Sequence, residues 1–169
     1  MTRTEKAEEI KKMIENCVAK INHDERDAYR AIAEYAVELG YMPKQVLRSG
    51  KKSNDLDFKK SKIKRKLMQM RANDTNLKLK LVFYAAQDYE KFIKPEIRFY
   101  GEGSIPCCGC GKCKGEPQVY TYTLPDGRAA FRCGGELVHM WDLNATEHVD
   151  EIKAMIKAQD EFWVGKIEK

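Results

Sequence analysis

No apolar run in this chain approaches the ~18 residues that a membrane-spanning helix needs, and a helical membrane protein is excluded. Prolines number five and glycines eleven, with no Gly-X-Y period. Collagen and proline-rich stalks are therefore excluded as well. Histidine is scarce: only His23, His139 and His148 are present, and no nucleophile–base pair is visible around them. The chain has no GxGxxG, P-loop, HExxH or GxSxG pattern, so nothing in it announces dinucleotide, nucleotide, zinc-peptidase or hydrolase chemistry. No catalytic constellation is assigned, and an enzyme is not the expectation. The opening MTRTEKAEEIKK is charged and has no apolar h-region. It does not read as a secretory signal, and the expected location is cytoplasmic.

What is present suffices for a core. The 169 residues suit one ordinary domain, and 43% hydrophobic against 34% charged residues is far too apolar for a disordered tail. The net charge of +5 hides an uneven distribution. Lys44 to Lys80 holds thirteen Lys or Arg and three Asp, a balance of +10, and the remainder of the chain balances at −5. A concentrated basic surface attracts anionic partners such as nucleic acid. The competing reading is a solvated face whose lysines keep strand edges from pairing.

Six cysteines are also unevenly placed: Cys17, then Cys107, Cys108, Cys110 and Cys113 within seven residues, then Cys133. A disulfide framework spreads its cysteines to close loops in an oxidising compartment, whereas clustered cytosolic thiols read first as metal ligands. The spacing Cys107-x2-Cys110-x2-Cys113, then nineteen residues, then Cys133 supplies four sulfurs. Tetrahedral zinc wants that number. Gly111-Lys112 after one pair and Gly134-Gly135 after Cys133 let backbone N–H groups turn toward sulfur. Cys108 is the expected spare, and His139 could replace one thiolate if its strand returns to the site. With four sulfurs the zinc has no open position for water, so the expected role is structural. The alternatives are thiols that hold no metal and, as another occupant, an iron–sulfur cluster. A redox CxxC beside Lys112 is disfavoured, because Gly109, Gly111 and Gly115 oppose the helix such sites open.

The element order reads as helices, then mostly strands, then a closing helix, and that segregation predicts an α+β fold. Ile10, Ile14, Cys17, Val18 and Ile21 mark one helical face, and Ala28, Ile32, Tyr35, Ala36 and Leu39 a second. Asn22 with Glu25 suggests a capping box, Gly40 a helix stop, and Pro43 the start of a short third helix to Arg48. Residues 31–50 can thus be weighed as a helix-turn-helix, with Lys44, Gln45 and Arg48 opening a recognition helix. Ser49 to Asp57 reads as a loop.

A strand reading of Lys62 to Arg71 puts Lys62, Lys64 and Lys66 on one face, though a helix over Lys59 to Met70 is the open alternative. Leu77, Leu79, Leu81 and Phe83 alternate with lysines as a half-buried strand. The resulting hairpin would carry Lys62, Lys64, Lys66, Lys78 and Lys80 on its solvent side, as the candidate anion or nucleic-acid site. A short helix is expected over Gln87 to Ile93 and a strand over Glu96 to Tyr100. A second hairpin, turning at Pro125-Asp126-Gly127, should pair Val119 with Cys133. Glu136 to Leu143 reads as a further strand. Asn144 and Glu147 open a final helix burying Val149, Ile152, Met155, Ile156, Phe162 and Trp163.

The expected organisation is one α+β domain over 1–169. Its helical part is 1–48 and its sheet part 58–169, mostly antiparallel and built from hairpins. The sheet part includes a Cys-rich loop at 105–115 and a C-terminal helix, 145–164, packed on the sheet. The expected function is a small binding module with structural zinc and a basic hairpin for nucleic acid or another anionic partner. The alternatives are a thiol or redox protein and a ligand-sensing domain whose pocket is lined by Tyr84, Tyr100, Tyr120 and Trp141.

Overall fold

The computed structural model describes residues 2–72, 78–87, 89–93, 119–123, 127, 129–134, 137–140 and 144–168. Helix α1 (Arg3–Val18) starts from a reciprocal cap. The Glu5 N–H donates to the Thr2 hydroxyl at 3.2 Å, and the Thr2 N–H donates to the Glu5 carboxylate at 2.7 Å. That satisfies two of the donors a helix start leaves open. Ile14, Cys17, Val18 and Ile21 are buried, as their spacing predicts. At the helix end, Arg26 donates to the carbonyls of Ile21 and Ala19, both at 3.0 Å.

The chain enters α2 (Arg26–Glu38) through a single 3-10 turn, His23–Glu25. The expected capping box therefore does not form. Asn22 makes no side-chain cap, and the Glu25 carboxylate is drawn to Lys78. Helix α2 buries Ala28, Tyr29, Ile32, Ala33 and Ala36. Gly40 stops it, with φ +90°: the Gly40 N–H donates to the Val37 carbonyl at 2.8 Å and the Tyr41 N–H to Ala36 at 2.9 Å. This paired closure needs a left-handed residue, which glycine supplies without a Cβ penalty.

The largest correction follows Gly40. Pro43 to Arg48 is a strand, β1 (Met42–Arg48), and Lys51–Lys60 is β2, antiparallel to it. The expected third helix, the loop over Ser49 to Asp57 and the start of the sheet at 58 all give way, as does the helix-turn-helix. Ser49 and Gly50 both have positive φ, 49° and 76°. They form a two-residue turn whose twist matches the strands it joins. Pro43 is tolerated because, among the described residues, β1 pairs only with β2, and an edge strand can spare one N–H.

A tight turn over 61–64, with Lys64 at φ 57°, leads into β3 (Arg65–Met70). The strand reading is right for 65–70 and the helical alternative falls. Lys62 and Lys64 lie in the turn, however, rather than on a strand face with Lys66. Strand β4 (Leu79–Leu81) pairs with β3. A short helix, α3 (Glu90–Ile93), occupies part of the segment expected at 87–93. Strands β5 (Val119–Thr123) and β6 (Ala129–Cys133) form a separate hairpin in the expected register, Val119 opposite Cys133. Strand β7 (Val138–Met140) joins β4, which gives an antiparallel sheet in the order β1-β2-β3-β4-β7. The strand expected at Glu96 to Tyr100 and the Cys-rich loop at 105–115 lie outside the described residues.

Helix α4 (Ala145–Ile167) closes the fold, three residues longer than expected. The Asn144 amide donates to Glu147 at 2.7 Å. Ile152, Met155, Ile156 and Trp163 are buried, and Val149 and Phe162 pack at the margin. Register then builds the core from the sheet side. Leu56–Met70–Leu79–Met140 and Phe58–Met68–Leu81–Val138 are two apolar rows, each crossing four strands. Cross-strand partners point to the same side, so both rows face α1, α2 and α4 in one contiguous core. The architecture is α+β. No helix among the described residues is long and apolar enough to cross a membrane.

Candidate functional site

Between the two apolar rows runs a third, and alternation along a strand turns it to the opposite side. Its members are Lys44, Asp57, Gln69 and Lys80, each opposite the next across the sheet, and the backbone of His139 pairs beyond Lys80. A half-step away, past a bulge after Phe58, Lys59 stands opposite Lys66. Ordinary alternation along β2 then sends the next residue, Lys60, the other way. Lys60 falls on the helix side, where it meets Asp160 of α4 at 2.8 Å, and its partner Arg65 lies over the Trp163 ring. Among the described residues the second face of the sheet thus carries Lys44, Lys59, Lys66 and Lys80, with Asp57 in their midst.

Asp57 organises this face. Its carboxylate accepts from the Gln69 amide at 2.6 Å, pairs with Lys66 at 2.6 Å and lies 3.9 Å from Lys59. The Asp57 side chain is 14% exposed, and those of Lys59 and Lys66 are 49% and 29% exposed. Like charges directly opposite each other destabilise a sheet, and Asp57 offsets that repulsion. Among the described residues no Phe, Tyr or Trp stands in either polar row, and these rows offer cations and an amide donor to a ligand.

The expected basic residues separate into groups. Lys66 and Lys80 are on this face. Lys62 and Lys64 are exposed in the turn beside it. Lys78 leaves it: its ammonium pairs with Glu25 and sits over the Tyr29 ring, and its side chain is only 13% exposed. Sequence reasoning missed Lys44, placed on a helix that does not form, and Lys59, left outside the hairpin. The signal for Lys59 was the alternation Asp57–Phe58–Lys59, which begins on the last residue of the segment read as a loop.

Among the expected metal ligands, Cys107, Cys110 and Cys113 lie outside the described residues, as does the spare, Cys108. Cys133 ends β6, and its backbone partner Val119 is six residues beyond Cys113. His139 belongs to the large sheet, opposite Lys80. Among the described residues no three His, Cys, Asp or Glu side chains gather as a metal site. Cys17 is buried in α1, and burial, with a smaller contribution from Asp55, pushes its thiol up to about 12.

Tyr84 and Tyr120, expected in a ligand pocket, pack edge to face with each other at 5.9 Å, and Phe83 packs on Tyr120 at 5.1 Å. Their hydroxyls are used internally. Tyr120 accepts from the Phe83 N–H at 2.9 Å, and Tyr84 accepts from the Trp163 indole at 2.8 Å. Tyr100 and Trp141 lie outside the described residues.

Two buried acids had no sequence signal. Asp55 accepts from Arg48 at 2.7 Å and from the Ala72 N–H at 2.8 Å. Asp160 accepts from both Lys60 and the Tyr41 hydroxyl at 2.8 Å, and Tyr41 is pushed well above the usual phenol range by burial and by that carboxylate. The chain matches no protein-family model, no curated protein and no solved structure.

Proposed function

We propose that this chain is a small cytoplasmic binding module whose open sheet face takes an anionic partner, foremost the phosphate backbone of a nucleic acid. The observation that carries this reading is the two-sidedness of the sheet. Among the described residues, one face carries two apolar rows packed against the helices, while the other carries Lys44, Lys59, Lys66 and Lys80 together with Asp57 across neighbouring strands. Lys44, Lys59, Lys66 and Lys80 make the face, and Lys62 and Lys64 extend it at the β2–β3 turn. With no ring platform among the described residues of these rows, contact is to phosphates, and sequence preference is weak.

The second part of the reading is zinc held by Cys107, Cys110, Cys113 and Cys133. The hairpin register supports it. From Val119, opposite Cys133, the chain runs back only six residues to Cys113, a span of at most about 20 Å. The donor set fits zinc: four thiolates would close its coordination sphere and supply folding energy rather than catalysis.

One purified preparation tests both parts. Elemental analysis should return about one zinc per chain, and colourless, zinc-free protein would reject the metal. Affinity for a 20-nucleotide single strand should fall linearly with log salt, with a slope of about −0.7 per phosphate contacted. Weak, salt-insensitive retention on DNA and RNA would reject the anionic partner.

A further inference from the structure

Three groups converge on the Asp57 carboxylate from two strands: the Gln69 amide and the Lys66 ammonium, both at 2.6 Å, and the Lys59 ammonium at 3.9 Å. Two ammonium groups and one amide N–H around one oxyanion are the donors a phosphodiester would be given. Lys44 and Lys80 stand on either side in the same row, Lys44 directly opposite Asp57 and Lys80 opposite Gln69.

We propose that the Asp57 position is the central phosphate subsite of the sheet face, filled in the unbound protein by the chain's own carboxylate as an internal competitor. The inference rests on the nucleic-acid reading above and deepens it by naming which donors receive a phosphate and what must yield first. Binding exchanges one anion for another. A backbone phosphate takes the donors of Lys59, Lys66 and Gln69, and the Asp57 carboxylate turns away to water. Asp57 thereby sets affinity from inside the site, keeping the lysines ordered and paired until a polyanion outcompetes a single carboxylate. The competition is local, because the acids that serve the core, Asp55 and Asp160, hold partners on the other side of the sheet or at its edge.

The experiment compares the unaltered protein with Asp57→Asn, titrating a 20-nucleotide oligothymidylate at several salt concentrations. The neutral variant should bind roughly threefold to tenfold more tightly at low salt, with a salt slope steeper by about one released counterion. An oligonucleotide with an uncharged methylphosphonate backbone should bind neither protein. Equal or weaker binding by Asp57→Asn, with the unaltered protein still binding and salt-sensitive, overturns the competitor and leaves the anionic reading standing. If the unaltered protein itself binds without salt dependence, the anionic reading falls first. A purely structural Asp57 would lower the melting temperature without tightening binding, so melting curves are recorded alongside. Should the variant fail to fold, the side-chain carboxyl 13C resonances of the unaltered protein decide. That of Asp57 should move on saturation with oligothymidylate while that of Asp160 stays, and an unmoved Asp57 signal overturns the proposal.

Discussion

Leu56, Phe58, Met68, Met70, Leu79 and Leu81 on one side of the large sheet are fully buried, whereas Lys44, Asp57, Lys59, Lys66, Gln69 and Lys80 on the other reach solvent to differing degrees. The two sets come from the same strands, one residue apart. Every one-residue slip in pairing would exchange them, so burial of the apolar rows against three helices also holds the polar rows in place. The difference teaches that the stability of this sheet and its binding chemistry are carried by separate side chains. They can be perturbed separately.

The largest expected effect lies on the apolar side. Phe58→Ala should cost about 3–5 kcal/mol in urea unfolding, through lost transfer energy and the cavity left behind. Gln69→Ala, one strand over and on the other face, should cost at most about 1 kcal/mol. Equal losses from the two would break the comparison.

Next comes Lys60, whose charge crosses from β2 to the helix side. Asp160→Asn leaves the Lys60 ammonium and the Tyr41 hydroxyl facing a neutral amide. Removing one partner of a largely buried pair should cost about 2–4 kcal/mol, read as a shift in the urea midpoint without a change in slope. A loss near zero would mean that Lys60 simply turns to water.

Cys17 supplies a pH test of the same apolar side. Its thiol rises from 9.0 to about 12 in the folded protein. The unfolded chain therefore releases this proton first. The stabilisation is complete below about pH 9 and is lost as pH rises toward 12. Tyr29 and Tyr41, also pushed upward by burial, act in the same direction. Cys17→Ala should make the alkaline fall of the urea midpoint shallower without abolishing it. An unchanged fall would place the sensitivity elsewhere.

The smallest stability effect should come from the polar face. Lys44→Ala should change unfolding by no more than about 0.5 kcal/mol while reducing the salt dependence of oligonucleotide binding by about one counterion. A stability loss comparable to that of Phe58→Ala would show that the two faces are not energetically separate.

Legibility in the sequence tracked the strength of local pattern. The helices of residues 3–38 and 145–167 were readable because their apolar residues recur at helical spacing. The pairing of Val119 with Cys133 was readable from Pro125-Asp126-Gly127, because a short turn dictates register. The hairpin of β1 and β2 was not. Pro43 after a glycine stop imitates a helix start, and Lys51-Lys52-Ser53-Asn54-Asp55 has no apolar alternation to betray a strand. Asp55 is in fact buried, held by Arg48 and the Ala72 N–H, and such a partner cannot be seen along the chain. The candidate site suffered accordingly. Lys66 and Lys80 were found from alternation, Lys44 and Lys59 were missed with their strands, and Lys78 was placed on the basic face although Glu25 draws it away.

By itself the sequence determined the class of fold, the amphipathic faces of the helices, the concentration of positive charge between Lys44 and Lys80, and the clustering of sulfurs. These depend on residue type and near-neighbour spacing. The tertiary structure alone decided which lysines share a surface and which are spent on Glu25 or Asp160. It also decided that Asp57 sits at the centre of that surface. Those outcomes depend on cross-strand register and on bulges. Register is a property of pairs of segments: hydrogen bonding and burial select it only when the strands meet.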